Sequence, residues 1–122
     1  PAGVEVLGLL PQLYLPPSNF TVTPVLAWWR RPSRVWVVDP AEVASVHRIP
    51  VGELLDPANR YSVRHPSGFV GPAFVVRDLL VWGFTGGLLS RFLAHVGWET
   101  PWDVDRFTDL PDHMIDEAWR NR

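Results

Sequence analysis

The sequence contains no cysteine. A disulfide framework, a thiolate nucleophile and a Cys-ligated zinc site are therefore excluded. Lysine is also absent, and all 11 basic residues are arginine. That excludes a P-loop, whose Lys contacts the phosphates, and any Schiff-base chemistry. No apolar run approaches the roughly 18 residues of a membrane span, and no signal-like block opens the chain. Net charge is only -2, so neither nucleic acid nor an acidic membrane is an expected partner. HExxH, GxGxxG, GxSxG and EF-hand patterns are missing as well.

What remains is a globular composition. Of the 122 residues, 47% are hydrophobic and 20% charged, enough apolar material for one small domain. Two counts stand out: 13 prolines and 7 tryptophans. The prolines predict short elements and much loop, and the tryptophans a core or interface built from large rings. Met114 is the sole Met, and Pro1-Ala2-Gly3 leads directly into an extended apolar stretch. That is how an internal cut through a larger domain would look.

Val4 to Leu15 reads as two short strands or one bent strand, interrupted by Gly8 and Pro11. Phe20 to Trp29 alternates as a strand covered on both faces near its end, with a bulge or sheet edge at Pro24. Short strands are predicted at Val35 to Val38 and Val43 to Ile49. A helical turn follows from Val51, stopped by Pro57. After a loop with a short strand at Tyr61 to Arg64, Ala73 to Val76 and Leu79 to Trp82 form a hairpin around Arg77-Asp78. The longest helix is predicted over Thr85 to Val96. Its apolar stripe is Phe84, Leu88, Leu89, Phe92, Leu93 and Val96, with Ser90, Arg91 and His95 pointing away. Thr85 is its expected N-cap and Gly97 its C-cap. Gly86 and Gly87 weaken the first turn, which suggests a close backbone approach. Trp98 to Thr108 is a proline-interrupted link, and a last helix starts near Asp109 or Leu110, with Pro111 in its first turn and Leu110, Met114, Ile115, Ala118 and Trp119 on one face.

Candidate chemistry is sparse. His47, His65, His95 and His113 have no mutual ligand spacing. His95 and His113 are expected at the surface and His47 in a structural role, while His65 could contact a substrate from its loop. Asp103, Asp105, Asp109 and Asp112 lack the central Gly and twelfth-position Glu of a calcium loop, so they read as solvated linker and helix-start charges. Arg30, Arg31 and Arg34 form a basic turn, either solvated or in contact with a phosphate. Asn19-Phe20-Thr21 is formally a glycosylation sequon.

One combination of motifs is more specific. Ser18-Asn19-Phe20-Thr21-Val22-Thr23-Pro24-Val25 resembles the S-x-F/Y-x-V-T-P-V strand of Nudix hydrolases of the coenzyme A diphosphatase type. Glu42-Val43, Val46, Ile49-Pro50-Val51 and Leu54-Leu55 look like that family's E-V-x-x-V-x-x-(I/V)-P-(L/V)-x-x-L-L block. Val81-Trp82-Gly83-Phe84-Thr85-Gly86-Gly87-Leu88-Leu89 resembles its (I/V)-W-G-(L/M)-T-A-x-I-(L/I) helix start, with Gly86 where Ala is usual. Order and spacing agree over about residues 7–97, leaving 98–122 as linker and C-terminal helix.

The resemblance implies an α/β (α+β) fold of Nudix type, a mixed β-sheet packed between helices and here incomplete. It implies a family that uses Mg²⁺ or Mn²⁺ to cleave coenzyme A into 3′,5′-ADP and 4′-phosphopantetheine. The Nudix box itself is absent. No glycine has a Glu six positions later; Gly97 with Asp103 comes nearest, and Pro111 stands where its Arg is needed. The signature for coenzyme A specificity, which precedes the box, is missing too. The chain thus resembles the part C-terminal to the box, and no catalytic or metal residue carries over. Glu42 and Glu53 match acidic positions that could line the site, or serve as a turn acceptor and a solvent-facing charge. Trp82 to Thr85 is expected to pack and cap. The expected partner is the missing N-terminal half or, through exposed sheet edges, a second copy; a nucleotide or coenzyme A-type substrate belongs to the complete enzyme. The alternative is a noncatalytic Nudix-like module that binds a nucleotide or a protein. Lack of cysteine and of an export signal points to the cytoplasm.

Overall fold

The computed structural model describes residues 3–15, 19–41 and 45–112. The fold is α+β. Its residues gather into two compact units, Pro1–His47 and Arg48–Arg122.

In the first unit, β1 (Val4–Leu9) pairs antiparallel with β4 (Val25–Trp29), and β2 (Leu13–Leu15) with β3 (Phe20–Val22). Pro11 separates β1 from β2, and Pro24 separates β3 from β4, because each removes a ladder donor. The β1–β4 register slips between Val6 and Gly8, so Leu7 is the extra residue of a bulge. Asn19 takes φ 65° at the turn into β3, and its Oδ1 accepts from the Tyr14 hydroxyl at 2.7 Å. The expectation that the end of the Phe20–Trp29 segment is covered on both faces is corrected. At the end of β4 Trp28 is more than half exposed on one face, while Trp29 on the other is half-buried, so cover on both faces is not found there. Residues 32–41 and 45–50 form no strand either, which corrects the strands read at Val35 to Val38 and across residues 45–49. β-branched composition there lacks any strand to pair with. Among the described residues of this unit none is buried.

The second unit holds the core. Its mixed sheet runs in the order β7-β6-β5-β8, with β5 (Arg60–Arg64), β6 (Val70–Val76), β7 (Leu79–Val81) and β8 (Phe107–Thr108). Neighbours are antiparallel except β5 and β8. Pro72 is tolerated in β6 because β7 pairs only with Phe74, Val75 and Val76. Val63, Ala73, Phe74, Val76 and Leu93 are the buried apolar residues. α1 (Val51–Leu55) is followed by a 3-10 turn at Pro57–Asn59, whose start is capped by Asp56 Oδ1 accepting from the Ala58 N–H at 2.9 Å.

The long helix, α2 (Gly83–His95), begins two residues before Thr85, with Trp82 at the N-cap. Thr85 is therefore not the cap, because Gly83 at φ 66° already turns the chain into the helix. The C-terminus follows the reading. Gly97, at φ 79°, donates to the Ala94 carbonyl at 3.1 Å, and Trp98 donates to that of Leu93 at 3.0 Å. This is the Schellman arrangement. The face against the sheet differs from the expected stripe. It carries Gly86, Ser90 and Leu93, spaced by four and three residues, while Val96 is exposed. A Cβ on Gly86 would lie 3.0 Å from the Pro72 carbonyl oxygen and 3.1 Å from that of Val81. Small residues thus let the helix close onto the strands. Residues 109–111 are not helical, which corrects the helix start read near Asp109 or Leu110; the rest of that reading falls on residues 113–122, outside the described ones.

Candidate functional site

The densest polar arrangement surrounds the start of β5. Arg60 is completely buried. Its guanidinium lies between two rings, 4.2 Å from the centroid of Phe74 and 4.4 Å from that of Trp102. Register places Arg60 beside Phe74 on one face of the sheet, and Nη2 donates to Ser90 Oγ of α2 at 2.9 Å. Glu99 Oε1 stands 3.8 Å from Nη1 and accepts from Trp102 Nε1 at 2.9 Å. Burial lowers the Arg60 pKa below the ordinary arginine value, and the Glu99 charge opposes that shift. The cation therefore fastens sheet, helix and the segment after it.

Arg106 performs a similar task on the outside of the sheet. Its Nη2 donates to the carbonyls of Pro57, Ala58 and Arg60 at 3.1, 2.7 and 3.0 Å. Its guanidinium also sits 4.0 Å from the Tyr61 ring centroid, and that of Arg64 lies 4.9 Å from Phe107. Arginine serves here as planar packing material, which an ammonium could not reproduce. Beside Arg106 opens a cleft of about 430 Å³ lined by Pro57, Ala58, Pro101, Trp102, Asp103 and Arg106. Its titratable groups are one carboxylate and one clamped guanidinium. It contains no nucleophile paired with a base, so its walls suit docking better than bond cleavage.

The histidines do not converge. His65 is buried, with its ring stacked on that of Trp82 at 5.8 Å between centroids. Its Nδ1 accepts from the Ser67 N–H at 3.0 Å and lies 2.8 Å from Ser67 Oγ. The chain closes around it, His65 N–H to Phe69 O at 2.8 Å and Gly68 N–H to His65 O at 2.9 Å. His65 therefore organises the β5–β6 turn from within. His47 is exposed, with Nε2 2.7 Å from Ser45 Oγ, and His95 is exposed on α2. His113 and Glu42 lie outside the described residues.

Of the other acidic candidates, Glu53 and Asp103 have partners. Glu53 is ion-paired to Arg77, with Oε2 2.9 Å from Nη2 and Oε1 3.2 Å from Nε. That pairing raises the Arg77 pKa, first through the hydrogen bond to Glu53 and then through its charge. Asp56 Oδ1 caps the 3-10 turn, and Asp103 Oδ1 accepts from the Asp105 N–H at 3.0 Å. Glu5 pairs with Arg30 of the basic turn. Among the described residues no group of three or more His, Asp or Glu could hold a metal ion. The described residues therefore do not by themselves fit Mg²⁺ or Mn²⁺. Sequence reasoning missed Arg60 and Arg106, since arginine is by default a surface residue. The available signal was the absence of lysine beside many aromatic rings.

Among the described residues no helix is long and apolar enough to cross a membrane. No family model, curated protein or solved structure matches the chain.

Proposed function

We propose that the chain is the C-terminal part of a Nudix hydrolase resembling coenzyme A diphosphatases, acting in the cytoplasm, and that these 122 residues alone do not turn over substrate. The observation that carries the reading is the order and spacing of three blocks, Ser18 to Val25, Glu42 to Leu55 and Val81 to Leu89. The third block spans the junction of β7 and α2, where Gly86 lies against the Pro72 and Val81 carbonyls. A helix held that close to a sheet supplies a rigid floor for a site built elsewhere. In the complete enzyme, water would attack a phosphorus of the coenzyme A diphosphate and a P–O bond would break, giving 3′,5′-ADP and 4′-phosphopantetheine; the Mg²⁺ or Mn²⁺ that the family uses would be held by residues outside these 122. The expected inactivity rests on the absence of the Nudix box, whose carboxylates hold the metal ions in that family.

A second reading, a noncatalytic module for a nucleotide or protein, draws on the cleft beside Trp102. The in-frame DNA before the codon for Pro1 separates the two. An intact Nudix box there is the expected finding, and a start codon without one overturns the enzyme reading in favour of the module. The companion assay incubates the chain with coenzyme A and Mg²⁺. No 3′,5′-ADP is expected, and sustained turnover would show that the account of the carboxylates is wrong.

A further inference from the structure

We draw no further inference here: the strongest candidate, the cleft beside Trp102 and Arg106, is walled mainly by proline and tryptophan side chains, and nothing in the structure shows what covers it.

Discussion

Replacing Arg60 separates the role of its charge from that of its volume. The side chain fills a slot between Phe74 and Trp102 and is wholly shielded from water. Arg60→Ala empties the slot, and truncations of this size cost about 3–4 kcal/mol. Arg60→Met keeps most of the volume. It forgoes two desolvated cation–π contacts of about 2 kcal/mol each, and a charge-assisted bond to Ser90 of about 1.5–3 kcal/mol. In exchange it removes an ion whose burial costs several kcal/mol. It also removes two buried groups without a hydrogen-bond acceptor, Nε and Nη1, each a penalty of about 1–3 kcal/mol. Glu99 remains bonded to Trp102 and is partly exposed, so it is not stranded. These contributions nearly cancel, and Met should cost at most about 1.5 kcal/mol. For a domain this small, 1 kcal/mol moves the melting temperature by roughly 4–8 °C. Ala should therefore lower it by on the order of 15–25 °C, and Met by less than about 10 °C. Thermal and urea unfolding followed by far-UV circular dichroism read this directly, without depending on Trp102 fluorescence. If Met proved as damaging as Ala, the charge and not the volume would hold the slot, and the reasoning would be refuted.

Adjacent glycines in α2 should respond with opposite sign. Gly86→Ala places a methyl against two backbone carbonyls that cannot swing aside, and overpacking of about 1–3 kcal/mol exceeds the helix gain of about 1 kcal/mol. Gly87→Ala meets nothing within 4 Å and should stabilise by about 0.5–1 kcal/mol; urea midpoints at constant slope give both values. Gly97→Ala forces an alanine to φ 79° at the helix end and should cost about 1–2 kcal/mol by the same measurement. Ser62→Ala removes a buried hydroxyl that donates to the Val104 carbonyl at 2.7 Å. It should cost about 1–2 kcal/mol and speed amide exchange in β8.

Local punctuation was the legible part of this chain. Pro11, Pro24 and Pro57 each mark a boundary that the structure keeps, and Arg77-Asp78 joins β6 to β7 as a two-residue hairpin turn. Gly97 ends α2 through its left-handed conformation. Long-range choices were illegible. Apolar residues at 35–38 lack a strand partner, so their composition misleads. β8 has two residues and pairs in parallel with a strand over forty positions earlier, which no local pattern announces. The face of α2 was misjudged because a helix that approaches a sheet closely turns its small residues inward: Gly86 is buried alongside Leu93, and the half-buried Ser90 bonds to Arg60. Within the candidate site, the solvent-facing reading of Glu53 misses its pairing with Arg77. Arg60 and Arg106 belong to interactions that only the folded chain assembles.

The clamp made by Arg106 also bears on the order in which the molecule assembles. Its carbonyl partners lie 46 to 49 residues earlier in the chain. Closing a loop of that length carries an entropic barrier of roughly 3 kcal/mol beyond the constant term. β6 and β7, joined by two residues, meet no such barrier. The antiparallel strands therefore form first and β8 is laid down last, against an edge already in place. Opening follows the reverse path. The Ser62 amide donates to the Arg106 carbonyl, so its hydrogen should exchange through detachment of this edge alone, ahead of the amides shared by β5 and β6.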